Sequence, residues 1–330
     1  MEVRHDRPAP PPRRRVDGVV LVDKPTGLTS NAVLQRVKRA YRALKAGHTG
    51  TLDPLASGLL PVCLGEATKF SVGLLDADKG YRATLHLGVT TETGDAEGAV
   101  LRTREVTSAR GEIEQALREF TGDIMQVPHR YSAIKREGRA LYSYARAGEA
   151  VMVAPRHVHI LTLAIEEWSP PMLTIRLLCS KGTYVRSLGE DLGEALGCGA
   201  HVSALRRLSV GDFSIERAVT LEAIESGDDA SRAACLLPPQ MLVEAFPVVE
   251  LDAAASAKFQ HGQKVRLPTG DAESGARVAV HGRAVAGSMP EFLGVALIEV
   301  METQRLLVPT RLLATVLTTA ETVAEKDLSA

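Results

Sequence analysis

One acid, one histidine and several glycines share the stretch AGHTGTLDPLASGLLPVCLG, from Ala46 to Gly65. Asp53 precedes Pro54, and a residue before proline is driven toward extended backbone. Proline suits the first position of a helix and aspartate its N-cap, so DPLASGLL predicts a loop, a cap and a short helix ended by Pro61. The helix dipole would then favour ionised Asp53. An Asp-Pro of this kind is commonly a cap and nothing more, worth ~1 kcal/mol. His48, two nearby glycines and the lack of a second acid close in sequence add another reading. It is a lone carboxylate beside a shaped pocket, serving as nucleophile or base.

Two further residues suit such a carboxylate. Tyr81 follows the polar loop Asp76–Gly80 and opens an alternating stretch. Arg186 lies just inside a helix that follows SKGTYV, and a guanidinium can hold a carboxylate through a two-point pair. Each has a plainer role, Tyr81 at the edge of a core and Arg186 in an ordinary surface pair.

The elements that must position these groups follow from periodicity. Gly18–Val22 reads as a strand running into the turn sequence DKPTG, and Thr29 or Ser30 caps the next helix. Leu34, Val37, Tyr41 and Leu44 form its apolar stripe; Arg36, Lys38, Arg39, Arg42 and Lys45 occupy the rest, as a solvated face or a phosphate-facing one. Glu66–Leu75 reads as helical, and Tyr81–Val89 alternates as a strand with one buried face. Thr90–Gly98 is a polar turn region, and Ser108–Phe120 is a helix with Ile113, Leu117 and Phe120 inward. Val158–Glu167 and Leu173–Cys179 are strands around Pro170-Pro171, and the helix after SKG buries Val185, Leu188, Leu192 and Leu196.

Between these elements, Gln126–Arg156 carries Arg130, Lys135, Arg136, Arg139, Arg146 and Arg156 against only two acids, with Tyr131, Tyr142 and Tyr144 interleaved. Bases mixed with aromatics suit a segment that grips a nucleic-acid backbone; a solvated helix and loop is the simpler alternative. His157 and His159 share a strand face, but no third metal ligand stands close in sequence. Gly197-Cys198-Gly199 follows a helix and lacks the third glycine of a dinucleotide loop. Leu237–Pro247 reads as a linker. Short β-like runs follow it (Val248–Leu251, Arg277–Val280, Arg283–Ala286, Leu293–Val300, Arg305–Val308) and suit a small barrel or sandwich.

The chain has 330 residues, enough for two domains, and a net charge of −1, so any nucleic-acid binding must come from local patches. Four dispersed cysteines without a CxxC pair point to reduced thiols and a cytoplasmic protein. No uncharged run approaches the roughly 20 residues of a membrane span, and no signal-peptide core is evident at the start.

GHTGTLDPLASGLLPVCLGEATKF, KGYRATLHLG, CSKGTYVRSLGEDLG and GAHVSALRRLSVG closely resemble, in order and spacing, motifs of the bacterial TruB family of tRNA pseudouridine synthases. DKPTGLTS and YSAIKREGRALYSYAR extend the likeness, which runs from about Gly18 to Leu242. The resemblance implies an α+β fold, with a central mixed and antiparallel sheet flanked by helices and a small C-terminal PUA-type β domain. Residues 1–16, rich in proline and arginine with almost nothing to bury, read as a disordered basic arm, and 316–330 as a frayed tail. The resemblance implies a catalytic domain over 17–243 with an RNA-gripping insertion near 126–156, a PUA-like RNA-binding domain over 244–315, and isomerisation of uridine 55 in the T loop of tRNA with no cofactor and no metal; the chain is expected to act as a monomer. Asp53 then matches the catalytic aspartate, Tyr81 the tyrosine that stacks on the base and is proposed to aid proton removal from C5, and Arg186 the arginine paired with the aspartate. His48, Tyr184 and Leu205 match positions lining the pocket of the extruded uridine. Lys24 and Lys69 match supporting or RNA-facing positions, and Lys135, Arg136 and Arg139 fall in the insertion. The carboxylate would attack C1′, attack the ring, or remove a sugar proton. An RNA-binding or RNA-folding protein with a vestigial pocket is the competing reading; a methyltransferase would need a cofactor-binding glycine loop after a strand, and none is present. His129-Arg130, the arm before Gly18 and the stretch from Gly270 to Gly275 depart from the family pattern.

Overall fold

The structure is a computed structural model that describes residues 12–132, 134–149, 151–268, 273–283, 289–301 and 304–314. The expected arm before residue 12, the tail after 314, most of the predicted strand Arg283–Ala286 and residues 269–272 lie outside the described residues.

In chain order the strands of the first part are β1 Gly18–Lys24, β2 Ala46–His48, β3 Ser57–Leu64, β4 Lys79–Leu87, β5 Val89–Thr91, β6 Val100–Thr103, β7 Gly122–Gln126, β8 Lys135–Arg136, β9 Arg139–Ala140, β10 Arg156–Ser169, β11 Met172–Cys179, β12 Ala200–Val210, β13 Phe213–Ser214 and β14 Val219–Thr220. The helices are α1 Ser30–Ala40, α2 Val72–Leu75, α3 Arg110–Glu119, α4 Leu141–Arg146, α5 Val185–Ala195, α6 Leu221–Ser226 and α7 Asp229–Ala234. One large sheet runs β14-β1-β3-β12-β4-β11-β10-β7, with β2 attached to β3 and β13 to β12. The pairs β1–β14 and β3–β12 are parallel, and the other neighbours are antiparallel. Helices α3 and α5 pack on the β4, β10, β11 and β12 half, where Leu85, Ile113, Ile175 and Leu188 are buried together. Helices α1 and α6 cover β1 and β3 through Val33, Val37, Leu60 and Ile224.

The helix expected over DPLASGLL is a strand. Ser57–Leu64 is paired with β1 from Gly58 to Leu64, buried from Gly58 onward, and carries Pro61 opposite Leu21. A strand covered on both faces reads as a continuous apolar run and cannot be told from a short buried helix by periodicity. Along its other edge β3 has two partners, β12 beside Ser57 and Gly58 and β2 beside Val62–Leu64. The sheet therefore opens between them, and the 49–56 loop fills the opening. Gly58 has φ +101°, and a Cβ there would sit 2.3 Å from Arg207 O, so only glycine lets the two strands meet.

Helix α1 is capped by Thr29, whose hydroxyl accepts from Ala32 N at 3.1 Å. Its buried stripe is Val33, Leu34 and Val37 with Tyr41; Leu44, expected inward, is 59% exposed because the helix ends at Ala40 and the backbone turns at Arg42 (φ 55°). Arg36 and Arg42 of its basic face are taken up by Glu225 and Asp229, leaving Lys38, Arg39 and Lys45 of the expected phosphate-facing set.

The second part contains β15 Val248–Leu251, α8 Ala253–Gln260, β16 Val265–Leu267, β17 Arg277–Gly282, β18 Glu291–Met301 and β19 Gln304–Leu312, in the sheet order β15-β17-β18-β19-β16. The expected linker is not a free tether. Pro239–Val243 forms a 3-10 turn whose Leu242 and Val243 are buried in an apolar cluster shared by both parts, where Phe70 meets Phe292 edge-on with ring centroids 5.1 Å apart.

Candidate active site

Asp53 sits in the loop between β2 and β3, and that loop is held from beneath by backbone contacts. Ser30 Oγ accepts from Leu52 N (2.8 Å) and donates to Leu52 O (3.0 Å), and Gly27 N donates to Pro54 O (2.8 Å). Lys24 has no exposed surface; its Nζ donates to Ala56 O at 2.6 Å, Pro25 O at 2.9 Å and Pro54 O at 3.4 Å. Burial lowers the Lys24 pKa to about 8. The lysine thus faces the loop backbone rather than solvent. Asp53 closes a turn by accepting Ala56 N at its own carbonyl, 3.1 Å. The segment after it is a strand, so Asp53 does not cap a helix of its own.

Arg186 supplies the positive charge instead. It is the second residue of α5, its side chain is 10% exposed, and Nη2 lies 2.9 Å from Asp53 Oδ2. Nη2 also donates to Tyr131 O at 2.9 Å, while Nη1 donates to Thr93 O at 3.2 Å and Asp95 Oδ2 at 3.3 Å. Three hydrogen bonds, to Thr93 O, Asp95 and Tyr131 O, fix the plane of the guanidinium, and the ion pair with Asp53 is made from that fixed position. Two expectations change. The pair with Asp53 is not a two-point fork, because the other nitrogen goes elsewhere. Nor is the carboxylate alone: Asp95, from the region read as a polar turn, is buried beside the same arginine and also accepts Glu97 N at 3.1 Å. Burial raises the pKa of Asp53, Arg186 opposes that rise, and the negative charge of Asp95 adds to it.

Tyr81, on β4, is 8% exposed and packs with Leu52 and Ala56 of the Asp53 loop. Arg207 stands opposite it on β12, and its guanidinium acts electrostatically on the phenol. Burial raises the Tyr81 pKa and the guanidinium opposes the rise. Asp95 and Arg207 were not singled out from the sequence, although Arg207 lies inside the motif GAHVSALRRLSVG.

The remaining candidates divide. His48 ends β2, half-buried, with Nδ1 buried and unpartnered; burial lowers its pKa, and Arg207 adds to that. Leu205 packs against the cluster that holds Tyr81 and lines a cleft of about 500 Å³ with Leu55, Ser57, Arg82 and Arg206. Tyr184 precedes α5, and its backbone exchanges two hydrogen bonds with the Gln126 amide, 2.7 and 3.0 Å. Lys69 is drawn to the seam between the two parts, donating to Glu66 at 2.6 Å and Leu312 O at 3.2 Å. In the basic segment Lys135 and Arg136 are exposed on a two-stranded hairpin, Arg139 pairs with Glu149 at 2.9 Å, and its guanidinium lies 4.2 Å from the Tyr144 ring centre. His157 and His159 both reach Asp123 of β7, at 3.1 and 2.8 Å. Among the described residues no three or more His, Cys, Asp or Glu side chains are placed to hold a metal ion.

Residues 38–185 match the family model for the N-terminal domain of TruB family pseudouridylate synthases. Residues 186–244 match the model for the tRNA pseudouridylate synthase B C-terminal domain, and 247–313 that for the C-terminal region of pseudouridine synthase II TruB. A protein of Burkholderia lata named tRNA pseudouridine synthase B is 57% identical over 273 residues, covering 82% of this chain and 85% of the relative. One of the same name from Cupriavidus taiwanensis is 53% identical over 297 residues, covering 88% and 93%. Among solved structures, an archaeal box H/ACA sRNP Nop10–Cbf5 complex contains a chain with TM-score 0.68 and 26% identity, covering 89% of this chain and 85% of that one. An H/ACA RNP bound to a substrate RNA containing 2′-deoxyuridine gives TM-score 0.68 and 27% identity, covering 90% and 85%.

Proposed function

Because the chain belongs to the TruB family of pseudouridylate synthases, we propose that it isomerises uridine 55 in the T loop of tRNA with Asp53 as the catalytic carboxylate. The observation that carries this reading is the Asp53–Arg186 contact at 2.9 Å, held over a loop that Lys24 and Ser30 pin from below. Pseudouridine formation breaks the N1–C1′ bond, turns the base, joins C5 to C1′ and releases the proton from C5. It calls for an ionised carboxylate whose direction is fixed, and the guanidinium supplies both the charge and the direction. A base in a folded loop must leave its stack to reach such a group. Tyr81, Leu205 and His48 are the residues assigned to receive it, and Lys135, Arg136 and Arg139 are assigned to the RNA backbone. The same reading carries a cytoplasmic, monomeric enzyme whose second part, over 244–315, also binds RNA.

The test is tritium release from C5-labelled uridine in T-loop RNA. Wild-type protein should release the label, and Asp53→Asn should not while binding the RNA with affinity within about threefold of wild type. Equal release from both would remove Asp53 from the chemistry. No release from wild type, with RNA binding retained, would favour an RNA-binding or RNA-folding protein.

A further inference from the structure

Arg207 is 1% exposed, yet among the described residues no carboxylate forms an ion pair with it. Burying a guanidinium without a counter-charge is among the costlier arrangements a fold can hold, and burial accordingly lowers its pKa. Two of its nitrogens are committed to backbone: Nε donates to Leu59 O at 2.8 Å and Nη2 to Gly50 O at 3.2 Å. Gly50 and Leu59 lie at the two ends of the loop that carries Asp53, so one guanidinium, paired across the strands with Tyr81, spans both ends of that loop. The tie is made at a fixed register, because Arg207 is the direct cross-strand neighbour of Tyr81 on one side and of Gly58 on the other. Around the pair, Asp53 faces Tyr81 from the loop and Cys179 from β11, while Lys24, His48 and Lys79 feel the same guanidinium.

Resting on the reading of this centre as a pseudouridine synthase site, we propose that Arg207 is the positioning residue for Tyr81, fixing the phenol oxygen relative to Asp53 and lowering the cost of its phenolate form, which takes up the proton from C5 while the C5–H electron pair returns to the ring. A guanidinium beside the phenol favours negative charge on its oxygen. The missing counter-ion is then part of the arrangement, since a resident carboxylate would cancel the field that Tyr81 feels. Arg206, next in the chain, points the other way and is neutralised by Asp23 through two nitrogens at 3.0 and 2.7 Å.

The experiment is a double-mutant cycle on the full-length chain, reading kcat for T-loop RNA isomerisation and Kd for the same RNA. Arg207→Met should lower kcat about 100-fold with Kd changed less than about twofold, and Arg207→Lys should recover about tenfold of that loss. In a Tyr81→Phe background, Arg207→Met should cost less than about threefold more. An equal loss in both backgrounds would overturn the proposal and leave Arg207 as a clamp on the loop alone. Absence of turnover in wild-type protein would overturn the isomerase reading instead. If the arginine variants do not fold, Tyr81→Phe decides the pairing by itself. Deleting the phenol oxygen removes the group on which the buried guanidinium acts and should lower Tm by about 3 °C, and an unchanged Tm would refute the pairing.

Discussion

Replacing Lys24 with methionine separates two roles of a buried cation, its cost to the fold and its hold on the Asp53 loop. Lys24 has no exposed surface and donates to Ala56 O, Pro25 O and Pro54 O at 2.6, 2.9 and 3.4 Å. Burial lowers its pKa from 10.5 to about 8. Keeping it charged at pH 7 therefore costs about 3 kcal/mol. Removing the ammonium would in turn strand the carbonyls it serves, a cost of comparable size at about 1.5 kcal/mol for each of the better two. In the methionine variant the two effects oppose each other, so stability at pH 7 should move by less than about 2 kcal/mol. Turnover should not survive as well. With the loop unlatched, a shift of Asp53 of the order of 1 Å lowers kcat about 100-fold. The pH dependence carries the sharper test. Folded Lys24 gives up its proton near pH 8 and unfolded Lys24 only near 10.5, so between them the unfolded chain binds more protons. Wild-type stability should then rise relative to Lys24→Met across that window, by up to about 3 kcal/mol. Urea denaturation of both proteins at pH 7, 8.5 and 10, with tritium release at pH 7, measures each part. A stability difference that stays flat from pH 7 to 10, or an unchanged kcat, would refute the reasoning.

Three further outcomes follow from the same geometry. Arg186→Lys should lose far more turnover than RNA affinity, by about 100-fold in kcat, because an ammonium cannot satisfy Asp53, Asp95, Thr93 O and Tyr131 O together; matched losses in kcat and Kd would count against its assigned role. Asp95→Asn should lower kcat about tenfold while leaving RNA affinity in place, since it loosens the aim of Arg186 without touching Asp53; a Kd that worsens in step with kcat would show that Asp95 serves the RNA surface. Substituting Lys135 and Arg136 by alanine should flatten the plot of log affinity against log salt by about 1.5, and Arg139→Ala should add less because Glu149 already neutralises it; an unchanged slope would return the segment to a solvated surface.

What the sequence makes legible depends on how each element meets water. Tyr81–Leu87 and Leu173–Cys179 alternate because one face of each is more open than the other, so their period of two survives in the residue types. Ser57–Leu64 is covered on both faces; its run SGLLPVCL has no period to read, and Asp53-Pro54 supplied a plausible helix start that tertiary pairing overrode. The short 49–56 loop still places Asp53 beside Arg186, for a reason unrelated to a cap. Asp95 was hidden because nothing in TTETGDAEGAV marks one acid as buried. Its burial is made by Arg186, 91 positions away in the chain. Arg207 was hidden differently. In an Arg-Arg pair on a strand, which one faces inward depends on the register against Tyr81, and register is a property of the sheet.

The number of buried charges that converge on the 49–56 loop argues against a purely structural origin. Lys24, Arg186 and Arg207 are all buried; Arg186 pairs with Asp53 and Asp95, and Lys24 feels Asp53 and Glu97. A loop needing only to be rigid would be held more cheaply by apolar side chains of similar volume, which commonly equal or exceed buried ionic groups in stability. Each cation is instead committed to a different part of one geometry: Lys24 to the backbone under Asp53, Arg186 to its carboxylate, Arg207 to the flanks of the loop and the phenol of Tyr81. Local costs retained at one corner of an otherwise well-packed fold are the signature of a site kept for what it does rather than for stability.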